Sequence, residues 1–339
     1  MKTILTLMCI ALFAVTTSAT VTTVSNNANS PGQFTDLQAA IDAATNGDTL
    51  YIHGSPTSYG ANIYLNRSLT LIGPGYNPQK DLPLTASMGS LYLDSIAGIK
   101  GCSNSNIMGL VIQYLYTTAS PTRFDNVLVT LNKIALVNMA PVLSSNIIFS
   151  QNAIDHFYGL SNVNNVIIKN NIIYGLTATF TNCQSVLITN NLYFYGTPSS
   201  NFNLQDFSTI SNNIFLNVHP LTNFSTFNNN LIFNSGNDVL PDGNNTGSGN
   251  FNGQAPIFVN DGGGNYNGIN YSFDYHLTAG SPGHNGGTDG TDIGPFGGID
   301  PLVDLTGTPP VPQIKVFNIN NTVVVPNTPL DVYVKAKKQ

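Results

Sequence analysis

The sequence predicts a single all-β solenoid of short stacked strands, and three observations lead there. Asparagines recur in register between Phe124 and Phe233, the apolar residues beside them alternate with period 2, and the composition suits stacked turns. Six segments align: Asn126–Asn132, Asn146–Asn152, Asn165–Asn171, Ser185–Asn191, Phe207–Asn213 and Phe224–Asn230. Subtracting the starting numbers gives spacings of 20, 19, 20, 22 and 17 residues. The terminal residues Asn132, Asn152, Asn171, Asn191, Asn213 and Asn230 form the expected ladder. A seventh segment, Asn106–Ile112, starts 20 residues before Asn126 and lacks the last Asn. The second and fourth positions of each segment, such as Val166 with Ile168 and Val186 with Ile188, share one face, as alternate strand residues do. A period near 20 has no room for a long helix but fits two or three short strands with tight bends. Asn tolerates the left-handed backbone such bends need, and its amide can bond the coils above and below. Roughly a dozen coils are expected.

Taken in order, residues 1–19 read as an export signal. Lys2 is the basic start, Ile4 to Val15 an apolar run too short to span a bilayer, and Thr17-Ser-Ala19 a small-residue cleavage site. Cys9 lacks small residues before it, which argues against a lipid anchor. No later stretch is long and apolar enough for a transmembrane helix, so the expected place is outside the cell or on its surface. Residues 20–300 form the solenoid. Within it 35–45 is an amphipathic helix with Thr35 as N-cap and Gln38 completing a capping box, burying Leu37, Ala40, Ile41 and Ala44 against the open end of the first coil. Residues 74–90 are a longer loop, 101–234 hold the Asn ladder, and the Gly-, Asn- and Asp-rich remainder to 298 forms irregular coils. A Pro-rich linker, 301–312, leads to a β-patterned tail, 313–339, too short to fold alone and expected to dock on the solenoid.

This pattern resembles the right-handed parallel β-helix of the pectate-lyase-like superfamily. Phe34 to His53 followed by Leu69-Thr-Leu-Ile-Gly73 is similar to the capping helix and first coils of those proteins. Asp274-Tyr-His-Leu-Thr-Ala-Gly-Ser-Pro282, then Gly290-Thr-Asp-Ile-Gly294, resembles the closing segment of secreted bacterial β-helix proteins. The likeness covers roughly residues 33 to 298 and speaks to fold more than to function, since one scaffold hosts many activities.

Composition narrows the function. The chain has 11 basic and 17 acidic residues, no Glu and no Trp; without Lys2 the balance is 10 − 17 = −7. So acidic a chain is a poor partner for nucleic acid or an anionic membrane. Two cysteines remain beyond the leader, Cys102 and Cys183. They lie four coils apart, about 19 Å along the axis at 4.8 Å per coil, too far for a disulfide, so both are expected as buried free thiols.

The resemblance implies polysaccharide enzymes, whose lyases use Arg or Lys with a cation and whose hydrolases use paired carboxylates. Only Arg67 and Arg123 are present as arginines, and no two Asp are adjacent. The residues that could line a groove are Arg123, Lys133, Asp155 and His156, which also suit an ordinary solvated surface. Asp289, Asp292 and Asp242 offer oxygen ligands for calcium, or simply close Asp-Gly turns. The leading reading is a non-catalytic carbohydrate-associated or cell-surface scaffold. The alternative is a polysaccharide lyase or glycoside hydrolase acting on an extracellular uronate polymer.

Two apolar columns face outward in this alignment. One is Met108, Leu128, Ile148, Ile167 and Leu187; the other follows the ladder Asn, as Ala153, Ile172, Leu192, Ile214 and Leu231. Columns this long are expected to be covered, by the tail, by loop 74–90 or by a second molecule. The oligomeric state is left open.

Overall fold

The computed structural model describes residues 19–81, 83–94, 101–118, 123–141, 143–175, 179–198, 200–264, 266–319, 329 and 331–337. The expected export signal and Cys9 lie outside these residues, apart from Ala19. The chain forms a parallel β-solenoid of about 9 turns, fewer than expected. Among the described residues no helix is long and apolar enough to cross a membrane.

Two long sheets run the length of the solenoid. The first has 10 strands, from Val21–Val24 and Thr49–Ile52 to Thr209–Ser211 and Thr226–Asn228. The second has 11, from Asn62–Leu65 and Ser87–Leu93 to Leu231–Phe233 and Phe251–Asn252. Successive coils stack in parallel: Val127 pairs with Ile147, Ile147 with Val166 and Val166 with Val186. The inward positions are those the alternation marks. Val127, Val129, Ile147, Phe149, Val166, Ile168 and Ile188 are all buried in one core. The seventh segment is shifted by two from the sequence alignment. Asn106 pairs with Leu128, and Met108 with Thr130. Met108 therefore does not head the outward column, and Asn106 occupies that place. Gly109, with φ +73, takes the bend, so the ladder position falls to Leu110, which has no amide.

From Asn106–Met108 onward a left-handed residue marks the start of each first-sheet strand and another follows its end, and the division of labour differs from expectation. The ladder Asn does not take the left-handed turn; its predecessor does, at Leu131, Gln151, Asn170, Asn190, Asn212 and Asn229, with φ between 52° and 57°. The ladder residues Asn132, Asn152, Asn171, Asn191, Asn213 and Asn230 have no exposed surface. Each sits inside the bend and bonds along the axis. Asn152 sends both its backbone N–H (2.9 Å) and its Nδ2 (3.0 Å) to Asn171 Oδ1, and Asn171 does the same to Asn191 Oδ1 (2.9 Å each). At the start of the strands a second, exposed ladder runs through Asn104, Asn126, Asn146 and Asn165 at 2.7–2.8 Å, and these Asn are themselves left-handed.

The predicted helix is present but shorter, Leu37–Ala43, and its N-cap is Asp36 rather than Thr35. Asp36 Oδ1 accepts from Ala39 N at 2.7 Å, which a carboxylate at this position does as well as a hydroxyl. Leu37, Ala40 and Ile41 are buried. Gln38 does not close a capping box. Its amide accepts from Tyr64 N (2.8 Å) and donates to Tyr64 O (3.2 Å), occupying the free edge of strand Asn62–Leu65.

Asp48 ties down the start of the described chain. Its carboxylate accepts from Thr20 N (2.8 Å), Thr45 N (2.8 Å) and Thr45 Oγ1 (2.9 Å), and these donors, the Thr20 amide foremost, hold its pKa at about 2. A depressed carboxylate stabilises above its unfolded pKa and loses that contribution as pH falls through the folded one. Asp48→Asn is therefore expected to lower stability by about 1–2 kcal/mol at neutral pH, with the difference closing between about pH 4 and pH 2. Paired urea titrations across that range check it.

Beyond Phe251–Asn252 the described residues add no rung to either long sheet. Residues 286–312 instead run back along the whole solenoid as a strap, over the column of left-handed residues. Asn229 Nδ2 donates to Gly286 O (2.9 Å) and Asn212 Nδ2 to Thr288 Oγ1 (3.0 Å). Asn170 Nδ2 donates to Gly297 O (2.7 Å) and Gln151 Nε2 to Pro301 O (2.8 Å). Tyr76 N then donates to Thr306 O at 3.0 Å, in the early loop. The bend column carries amides at Gln151, Asn170, Asn212 and Asn229, and these hold the strap.

The strap and the residues leading into it cover one of the two apolar columns. Ile172, Leu192, Ile214 and Leu231 are fully buried against Phe258, Tyr275, Leu277, Ile293, Leu302 and Leu305, a second core separate from the solenoid interior. The other column, Leu128, Ile148, Ile167 and Leu187, is only half-buried. The tail forms an antiparallel hairpin, Gln313–Ile319 with Val332–Lys337, whose strands pair with each other and not with a strand of the solenoid. Residues 320–328 of the expected tail lie outside the described residues.

Candidate functional site

The strap leaves the early part of the second sheet open. There a groove of about 660 Å³ crosses the coils carrying strands Asn62–Leu65, Ser87–Leu93, Val111–Thr117 and Lys133–Met139. Its floor follows one register column, Ala61, Gly89, Gln113 and Ala135, in which three of the four residues are small. Ala61 lies beside Gly89 because Asn62 pairs with Ser90, and Gln113 separates Gly89 from Ala135. A side chain at Gly89 would press a Cβ to 2.4 Å from the Ala61 carbonyl oxygen, so the close approach of these coils requires glycine there.

Tyrosines stand on the outer face beside the groove. Tyr64, Tyr92 and Tyr116 occupy one register position on successive coils. The rings of Tyr64 and Tyr92 stack at 4.9 Å, Tyr92 and Tyr116 meet at 5.8 Å, and Tyr114 stacks on Tyr116 at 5.5 Å. Tyr64 is 40% exposed and the others half-buried. Gln113 Nε2 donates to the Tyr114 hydroxyl at 3.3 Å. Burial raises the Tyr116 phenol, and its neighbours Tyr114 and Tyr92 add to the shift.

Sequence reasoning missed this column. Its signal is the apolar-Tyr pair in Ile63-Tyr64-Leu65, Leu91-Tyr92-Leu93 and Leu115-Tyr116-Thr117, but the spacings, 92 − 64 = 28 and 116 − 92 = 24, fall off the ladder's period.

The candidates singled out in the sequence are partly brought together. Lys133 lines the far end of the groove and forms an ion pair with Asp155 one coil on. Lys133 stands in the column otherwise held by Val111, Ala153 and Ile172, so burial pushes its pKa down, with the Asp155 carboxylate opposing. The carboxylate also raises Tyr271, itself shifted to about 12 mainly by burial, which places the strap's approach beside the pair. His156 is exposed, with its ring 6.3 Å from that of Tyr174. Arg123 is exposed on the approach to the first sheet, a different face of the coil from Lys133.

The calcium candidates are each engaged by protein groups. Asp289 Oδ1 accepts from Thr291 Oγ1 (2.7 Å), Asp292 Oδ1 from Asn285 N (2.8 Å), and Asp242 Oδ2 lies 3.0 Å from His219 Nε2. Among the described residues no group of three His, Cys or Asp could hold a metal. Cys102 and Cys183 are buried free thiols, and burial lifts Cys102 to about 12, so it is an unreactive core group.

Compared with known proteins, the chain matches no family model and no curated protein.

Proposed function

We propose that this is an exported β-solenoid that binds a polysaccharide without cleaving it, along the tyrosine groove of the second sheet. The observation behind the reading is the open groove itself: a floor of small residues interrupted by Gln113, an edge formed by Tyr114 with the stacked tyrosines Tyr116, Tyr92 and Tyr64 behind it, and a length of three coil spacings, about 14 Å. Tyrosine offers an apolar face to sugar C–H groups and a hydroxyl to their polar edges. The sequence of residues 1–19 and the likeness to pectate-lyase-like β-helices support export and a carbohydrate partner.

Lys133 and Asp155 give the alternative its one foothold. A cation and a carboxylate at the end of a groove could serve a lyase, yet here each is engaged by the other, and no second carboxylate or arginine joins them in the groove lining. Incubation with alginate, pectate, glycosaminoglycans and neutral glycans decides between the two. Retention on a polysaccharide with neither unsaturated-uronate absorbance nor new reducing ends is expected. Product formation that Lys133→Ala abolishes would replace the scaffold reading with a catalytic one.

A further inference from the structure

We infer that the groove takes a neutral polysaccharide, a chain of uncharged hexoses or pentoses, and not a uronate; this rests on the groove being the binding face. A uronate chain brings one carboxylate per sugar, and each carboxylate that leaves water needs a cation. Among the described residues lining the groove the sole cation is Lys133, and Asp155 already takes its ammonium. Three other cations of the described chain are engaged away from it. Arg67 Nη2 donates to Asp42 O at 2.8 Å, Lys80 Nζ to Leu84 O at 3.0 Å, and Lys169 pairs with Asp300 at 2.6 Å. The chain as a whole carries −6, so its long-range field repels polyanions.

What the groove does supply matches an uncharged sugar. Ala61 and Gly89 leave room for a flat ring on one side of Gln113 and Ala135 on the other, and Tyr114 edges the floor. Ser58 and Gln113 offer hydroxyl and amide groups of the kind that read sugar hydroxyls. With its Nε2 donating to Tyr114, the Gln113 carbonyl is left to accept from a ligand hydroxyl. Recognition built from ring stacking and neutral hydrogen bonds is insensitive to ionic strength, whereas recognition of a polyanion is not.

The test uses the full chain against xylan, mannan and mixed-linkage β-glucan, and against alginate and polygalacturonate with and without calcium. Affinity electrophoresis followed by calorimetry gives the readout. Binding to at least one neutral glycan is expected, unchanged from low to high salt, and weakened about tenfold by Tyr114→Ala. Ala135→Gln adds bulk to the floor beside Gln113 while keeping every tyrosine, and should give the same loss, which covers the case where Tyr114→Ala folds poorly. Tyr114-dependent binding of alginate or polygalacturonate that fades with salt, or that calcium switches on, overturns the neutral class while leaving the groove as the binding face. If no glycan is retained, or if retention ignores both substitutions, the groove reading itself falls, and this inference with it.

Discussion

Asn171→Ala is expected to lower stability by about 2–4 kcal/mol, more than any surface substitution on this chain. Asn171 Oδ1 accepts two bonds from Asn152, from the backbone N–H and from Nδ2. Its own Nδ2 donates to Phe149 O (3.0 Å), Lys169 O (2.9 Å) and Asn191 Oδ1 (2.9 Å). Asn152 Nδ2 keeps a second acceptor, Val129 O, but its backbone N–H is left without one in a site that has no exposed surface. Leaving one buried donor unsatisfied accounts for about 1–3 kcal/mol, and the lost packing adds to it. Asn171→Asp is expected to be at least as damaging at neutral pH, because an ionised oxygen would face three acceptors where Nδ2 now donates. Burial among acceptors raises the folded pKa of that carboxyl, so the defect should shrink as pH falls and the group becomes a donor.

The exposed ladder gives the contrast. Asn146 has φ +57, so Asn146→Ala is expected to lose only about 1 kcal/mol, the strain of a left-handed alanine, and Asn146→Gly to recover it. Asn171→Gly should recover nothing, because the amide and not the backbone is what matters there. Urea midpoints for the five variants, with unchanged slopes, check the whole set.

That contrast marks how far the residue pattern could be read. Stacking asparagines in one column required only that a repeat place identical side chains above one another, so the ladder and its inward apolar partners were visible without coordinates. The left-handed positions were not separable from the ladder, because Asn fills both roles in Asn170-Asn171 and Asn190-Asn191, and only Leu131 and Gln151 break the doublet. The groove was harder still. It depends on Gly89 and Ala61 being neighbours across coils, and the coils before the ladder vary in length as loops 74–81 and 101–105 are inserted. Register cannot be counted through such loops from spacing alone. Lys133 and Asp155 were found because charge is rare here, not because their pairing could be foreseen; one coil of separation happens to bring them together.

The two outward apolar columns separate most sharply in their response to a charge. Leu192 and Leu187 are five residues apart and equally apolar in sequence, but Leu192 is fully buried beneath the strap and Leu187 half-exposed on the first sheet. Leu192→Asp is expected to destabilise by about 3–5 kcal/mol, from the lost burial of a leucine together with a carboxylate placed among Ile172, Ile214 and Phe194. Leu187→Asp should lose about 1 kcal/mol or less. The form of the loss matters more than its size. Leu192 belongs to the core between strap and sheet, and the interior of the solenoid is a separate core that includes Ile188, Tyr193 and Phe215. The charge should therefore release the strap first and leave the stacked coils in place, a local opening below the global transition. Leu192→Asp is expected to bind a hydrophobic dye, to be cut by protease within 286–312, and to keep its β circular dichroism until a later melt. A single cooperative transition, with dye binding and loss of β signal coincident, would show instead that strap and solenoid stand or fall as one unit, and that the amides of Gln151, Asn170, Asn212 and Asn229 couple the two cores rather than merely joining them.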